Sequence, residues 1–141
     1  YAWDHHWGIF PHLDKQLPIY DNSYSALLND LDDRGLLDTT LVITADEFGR
    51  TPGFNKDKRG PGRDHWSRCF SLTLGGGGVQ TGRVIGASDN YGAIPTDRPV
   101  SVADFAATVY HALGLDPKAE YAAQGRPMTV LPDGAVVKEL F

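Results

Sequence analysis

Apolar side chains at Tyr20, Tyr24, Leu27, Leu28 and Leu31 recur at offsets of three and four. That spacing puts them on one helical face and predicts a helix over 20–34, with Gly35 as its stop. The link LLDT follows, and a β-branched run ending in LVIT predicts a strand over 40–45, buried in a sheet. Residues 50–68, RTPGFNKDKRGPGRDHWSR, mix Gly, Pro and charge without periodicity. They predict a long loop, a kind of segment that in compact domains often carries function. FSLTL (70–74) predicts a second strand, closed by the GGGG run at 75–78, and RVIG adds a short extended piece. The next helix, over 101–113, is the best-marked element. Ser101 and Asp104 form a capping box after Pro99, Val102, Phe105, Ala106, Val109, Tyr110 and Leu113 form the apolar stripe, and Gly114 suits the C′ position. RPMTVL (126–131) predicts a last strand. Helices alternating with strands, and no internal repeat, predict an α/β fold with a mostly parallel sheet flanked by helices.

Bulk numbers narrow this picture. A chain of 141 residues is expected to form one domain and to bury roughly 68–70% of its unfolded surface. A net charge of −5 argues against a nucleic-acid partner. No apolar run of about eighteen residues exists, so no membrane span is predicted. Cys69 is the one cysteine, which excludes an internal disulfide; it opens a predicted core strand and reads as packing. The chain begins at Tyr1 without an initiator Met or a signal peptide, which leaves its location open.

The strand at 40–45 runs into Asp46 and Glu47. Burying an unpaired carboxylate costs several kcal/mol, on the order of a small domain's whole stability. In open α/β sheets ligands sit beyond the carboxyl ends of strands. Asp4 and His6, in WDHH, follow a stretch read as extended, and Asp64 and His65 lie in the long loop. Three carboxylate-plus-imidazole clusters can therefore meet at one edge around a divalent cation. A mixed Asp/Glu/His set favours Zn or Mn, and an all-oxygen set favours Mg or Ca. A cation would also neutralise Asp46 and Glu47. Each cluster has a plainer reading: Asp46 and Glu47 as turn caps, the N-terminal group as a solvated patch. Trp66 favours the first view for DHW, because it can pin the loop while His65 projects. Arg50 and Arg63 flank the clusters and suit either an oxyanion clamp or structural salt bridges. GGGG lacks the Lys and Ser/Thr of a phosphate loop and reads as a tight turn. His12 reads as exposed and His111 as a packing residue.

WDHH, LLNDLDDRGLLDTTLVITADEFGRTP, GRDHW, LGGGGVQTGRVIGASD and RPVSVADFAATVYHALGLDP together resemble the family known as domain of unknown function 1501, over nearly the whole chain. That family is similar to the alkaline phosphatase, sulfatase and phosphoglycerate mutase superfamily. The resemblance implies that Asp46 takes the place of a metal-binding Asp and Glu47 that of the following His. Asp46 departs from the small residue usual in the family. Asp4 and His6 resemble the upstream ligands, at a shorter spacing, and His65 the downstream one. The superfamily nucleophile, a Ser, Thr or modified Cys near the start of the domain, has no counterpart here. The resemblance thus implies that the chain is the C-terminal part of a larger alkaline-phosphatase-like sandwich whose N-terminal remainder is missing. It also implies export, to the periplasm or beyond, since relatives often carry a twin-arginine signal.

The expectation is a metal-dependent hydrolase, or a fragment of one, acting on phosphate or sulfate esters of small molecules or polysaccharides. Asp4, His6, Asp46, Glu47 and His65 would hold the metal, with Asp64 as a further ligand or as the partner orienting His65. His65 would take a catalytic part, and Arg50 or Arg63 would stabilise equatorial oxygens. The alternative is a non-catalytic secreted module with at most a structural ion, supported by Glu47 and by the missing nucleophile. A third reading makes Trp3, Trp7 and Phe10 a carbohydrate-contacting surface, against packing at the sheet edge.

Overall fold

The computed structural model describes residues 3–141. The first helix, α1 (Ile9–Asp33), begins well before the periodic stripe that announced it. Gly8 caps it with φ 55°, and Pro11 falls in its first turn, where the missing N–H leaves no helical bond unmade. The far end closes on Gly35 at φ 67°, as the sequence indicated. Gly35 N–H donates to the Asp32 carbonyl and Leu36 N–H to the Leu31 carbonyl, each at 2.8 Å, which satisfies two orphan acceptors. A short 3₁₀ turn, Leu37–Thr39, leads into the first strand.

β1 (Val42–Thr44) pairs antiparallel with β4 (Thr73–Gly75), with Ile43 opposite Leu74. β2 (Gly49–Arg50) pairs antiparallel with β3 (His65–Trp66). β5 (Ala87–Ser88) and β6 (Pro95–Asp97) form a third pair, β7 (Glu120–Ala123) and β8 (Arg126–Thr129) a fourth. The fold is mixed α/β, but its described sheets are antiparallel pairs, not the mostly parallel sheet expected. The reason lies in the connections. Parallel neighbours need a crossover of a dozen or more residues, usually helical, whereas the long loop after β2 turns straight back on itself. β7 escaped notice because EYAA lacks an apolar alternation. Its two-residue turn to β8, Gln124 at φ 53° and Gly125 at φ 75°, has the primed geometry that tight hairpins favour.

The second helix, α2 (Val102–Ala112), has the predicted capping box: Asp104 N–H donates to Ser101 Oγ and Ser101 N–H to Asp104 Oδ2, both at 3.0 Å. Thr108, 1% exposed, donates to the Asp104 carbonyl at 2.7 Å and accepts from Val137 N–H at 3.0 Å, tying the C-terminal segment to the helix. GGGG is a turn: Gly76, Gly77 and Gly78 all have positive φ, and the first two press against Leu37, Thr40 and Leu41.

Two tyrosines seat α1 on the first strand pair, Tyr20 donating to Thr44 Oγ1 at 3.2 Å and Tyr24 lying 3.5 Å from Thr73 Oγ1. No described residue of α1 is fully buried, and the buried apolar set among the described residues is Val79, Ala107 and Val137. The accessible surface is 9951 Å² for 15.4 kDa, against about 7,200 Å² for a globular protein of that mass. Burial is thus about 55% of the unfolded surface, not the share expected from length. Large apolar side chains such as Ile19, Val84, Tyr91 and Val102 stand open to solvent. Among the described residues no helix is long and apolar enough to cross a membrane.

The segment before α1 runs along the returning limb of the long loop. Arg63 N–H donates to the His5 carbonyl at 3.1 Å, Ile9 N–H to the Pro61 carbonyl at 3.0 Å, and Gly8 N–H to the Gly60 carbonyl at 3.4 Å. A Cβ on Gly62 would stand 2.1 Å from the His6 carbonyl, so glycine is required there by space alone. Gly62→Ala should therefore cost roughly 1–3 kcal/mol of stability by denaturant unfolding, the usual range for overpacking; an unchanged midpoint would show that this seam yields freely.

Candidate metal centre

This seam brings together side chains some sixty positions apart. Asp4 and His6 come from the loop before α1, Asp64 and His65 from the end of the long loop where it enters β3. The β2–β3 ladder continues past Arg50, since Thr51 N–H donates to the Asp64 carbonyl at 2.8 Å, and this fixes the register of His65. The ring of Phe48 packs on the His65 imidazole at a centroid distance of 4.1 Å.

Three atoms converge. Asp4 Oδ1 lies 3.1 Å from His6 Nε2 and 2.9 Å from His65 Nε2, and the two nitrogens are 3.2 Å apart. Ligand atoms on one ion at about 2.1 Å are separated by about 3.0 Å at right angles and about 3.4 Å at tetrahedral angles. The triangle's sides of 2.9, 3.1 and 3.2 Å lie close to the right-angle value and below the tetrahedral one, and Asp4, His6 and His65 are the described residues whose ligand atoms cluster in this way.

The His6 ring is held from its other side as well. His6 Nδ1 is 2.6 Å from Asp64 Oδ1, and a carboxylate there accepts, so the Nδ1 proton donates to it. Nε2 is then the His6 atom turned to Asp4 Oδ1, the atom that a cation in the triangle would meet. A carboxylate holding the distal nitrogen of a metal-binding histidine is a recurrent arrangement that fixes its tautomer. Asp64 thus orients His6, not His65 as expected. With two imidazoles and one carboxylate the donor set suits Zn or Mn better than Mg or Ca.

Asn55 completes the support, and sequence reasoning missed it. Its Nδ2 donates to the His6 carbonyl at 2.8 Å and to Asp64 Oδ1 at 3.2 Å, while its Oδ1 accepts from Gly62 N–H at 3.2 Å. One amide therefore holds both segments. Nothing in FNKD marks it, because its role depends on which backbone lies alongside.

Arg50 Nη1 donates to Asp4 Oδ1 at 2.7 Å, an ion pair at the edge of the triangle. Arg63 donates to the Thr51 carbonyl at 3.0 Å and lies over the Phe54 ring, so its charge is turned to packing. Asp46 and Glu47 are exposed, and neither contributes to the triangle. Asp46 Oδ1 accepts from Glu47 N–H at 3.3 Å in the turn between β1 and β2, so the burial penalty expected at the end of that strand does not arise. His12 stacks on His5, and His111 packs edge-on against Phe141. Trp7 lies under the Arg59 guanidinium, and Phe10 packs on Phe54.

The model of the family described as "Protein of unknown function (DUF1501)" matches residues 1–141, and the chain belongs to that family. No curated protein matches it, and no solved structure does.

The hydrogen bond from His65, and after it that from Arg50, holds the Asp4 carboxyl at about 2, below its ordinary 3.8. His6, and after it Asn55, lowers Asp64 in the same direction. A carboxylate depressed in the folded state adds stability above its ordinary value, and loses it as pH falls through the folded one. The contribution of Asp4 should therefore fade between 3.8 and about 2. Carbon-13 NMR of the Asp4 carboxyl should show that low midpoint, and His65→Ala should raise it; a wild-type midpoint near 3.8 would contradict the geometry.

Proposed function

We propose that the chain carries the ion-binding part of a metal-dependent hydrolase acting on phosphate or sulfate esters. The observation that supports this best is the triangle of Asp4 Oδ1, His6 Nε2 and His65 Nε2, with Asp64 behind His6. Three side-chain ligands on one face leave further positions of an ion open, the arrangement of catalytic rather than closed structural sites. Asp4, His6 and His65 would hold a divalent ion, which would supply charge stabilisation to the oxygens of a displacement at phosphorus or sulfur.

The chain's own residues do the rest. Asp64 holds the His6 proton at Nδ1 and keeps Nε2 free to bind. Phe48 shields one face of His65 from water. Arg50 offers a guanidinium to an anionic ester oxygen. The Thr51 hydroxyl, in the same network, accepts from Asp64 N–H and donates to the Gly53 carbonyl, so it is not poised to attack. The nucleophile in this reading comes from polypeptide outside these residues. The excess of exposed apolar surface supports that view, since a larger domain would cover it.

The experiment is metal analysis together with ester hydrolysis. The native gene product should bind a divalent ion and hydrolyse aryl phosphates or sulfates, and both should be lost in His6→Ala and His65→Ala. Turnover that survives both substitutions, or the absence of any bound ion, would refute the reading. Tight ion binding without turnover would favour a non-catalytic module instead. Asp64→Asn should weaken ion binding about 10–100-fold, the usual effect of losing such a supporting carboxylate, measured by competition with a chelator; unchanged affinity would remove Asp64 from the site.

A further inference from the structure

We infer that Arg50 couples ion binding to anion binding, so that each tightens the other. The inference rests on the metal site proposed above. Asp4 Oδ1 is the oxygen that faces both imidazole nitrogens, and the same atom accepts from Arg50 Nη1 at 2.7 Å. A carboxylate oxygen has two lone pairs, so a cation in the triangle must share or displace this guanidinium. Either way two positive charges come within a few ångströms in a partly screened site, and Arg50 opposes the ion.

The guanidinium has a second place to go. Arg50 also lines a groove of about 920 Å³ together with Phe48, Ser67, Arg68 and Arg83. Its remaining anchor on the triangle side is a long bond from Nη1 to the Arg63 carbonyl at 3.4 Å. The groove lining includes Arg68, Arg83 and Arg98 beside the carboxylates Asp46 and Asp97, so guanidinium groups outnumber carboxylates there. Arg98 is paired with Glu139, Arg83 donates to the Glu139 carbonyl, and Arg68 lies over the Trp66 ring. An oxyanion in this groove, the charged end of a phosphate or sulfate ester, takes up the Arg50 charge and removes its opposition to the ion. By linkage the ion must then favour the anion by the same factor. Arg50 so selects for esters that keep a negatively charged oxygen, and a neutral ester lacks the group that relieves the conflict.

The test is titration of Zn²⁺ into the wild-type chain and Arg50→Gln, each with sulfate or with chloride at equal ionic strength. In chloride, Arg50→Gln should bind Zn²⁺ more tightly than wild type, on the order of tenfold. Sulfate should tighten Zn²⁺ binding in wild type and have little effect on the variant. Equal or weaker Zn²⁺ binding by a folded Arg50→Gln, or sulfate tightening of the same size in both, would overturn the coupling and leave the metal site standing. No Zn²⁺ binding by wild type would remove the site and the coupling together. Where Arg50→Gln does not fold, nitrogen-15 NMR of the wild-type Arg50 guanidinium decides. Its signals should move when Zn²⁺ is added and again with sulfate, and signals unmoved by sulfate would overturn the inference.

Discussion

The contact of residues 5–9 with residues 60–63 is what makes a site of these side chains. Its bonds are backbone bonds, and its closeness is set by the absence of a side chain on Gly62. Each segment alone is an irregular loop, with no secondary structure to fix a histidine. Together they hold Asp4, His6 and His65 within hydrogen-bonding distance of one another, and Asn55 bonds across the seam to both sides. Segments tied mainly by backbone bonds and one glycine contact are sensitive to small steric changes. The site inherits that sensitivity.

The electrostatics follow from the seam. Asp4 and Asp64 bring two negative charges into a cluster whose histidines are neutral in their ligand form, and Arg50 compensates one of them. Among the described residues, the carboxylate most depressed at the seam is Asp4, which also has the most partners. An oxygen shared by a guanidinium and two imidazoles is held as an anion, the state a metal ligand needs. The same sharing would limit how strongly it could bind an ion, since Arg50 stands as a competitor for that atom.

Much of the scaffold could be read from the residues. The capping box at Ser101, the stops at Gly35 and Gly114 and the β-branched strand at 42–44 are local signals, and local signals survive folding unchanged. The sheet direction could not be read, because it depends on whether a connection crosses over or turns back, and RTPGFNKDKRGPGRDHW is compatible with both. Asp4, His6 and His65 could be singled out because metal-ligand chemistry uses few residue types, and the structure brings these three together. Asp46 and Glu47 were chosen on the premise that their strand end is buried, and in the structure it is exposed. The pairing of Asp64 with His6, and the role of Asn55, depend on contacts between distant segments. No spacing along the chain encodes them.

An ion held by Asp4, His6 and His65 would do more than polarise a substrate. It would close a loop of some sixty residues, joining the start of α1 to the start of β3 through bonds far less exchangeable than a 3 Å hydrogen bond. A ligand that binds only the folded arrangement stabilises it in proportion to the logarithm of its concentration over its dissociation constant. This matters for a chain with so small a buried apolar set, where hydrophobic burial leaves little in reserve. Such an ion would serve chemistry and architecture at once, at the junction of two loops.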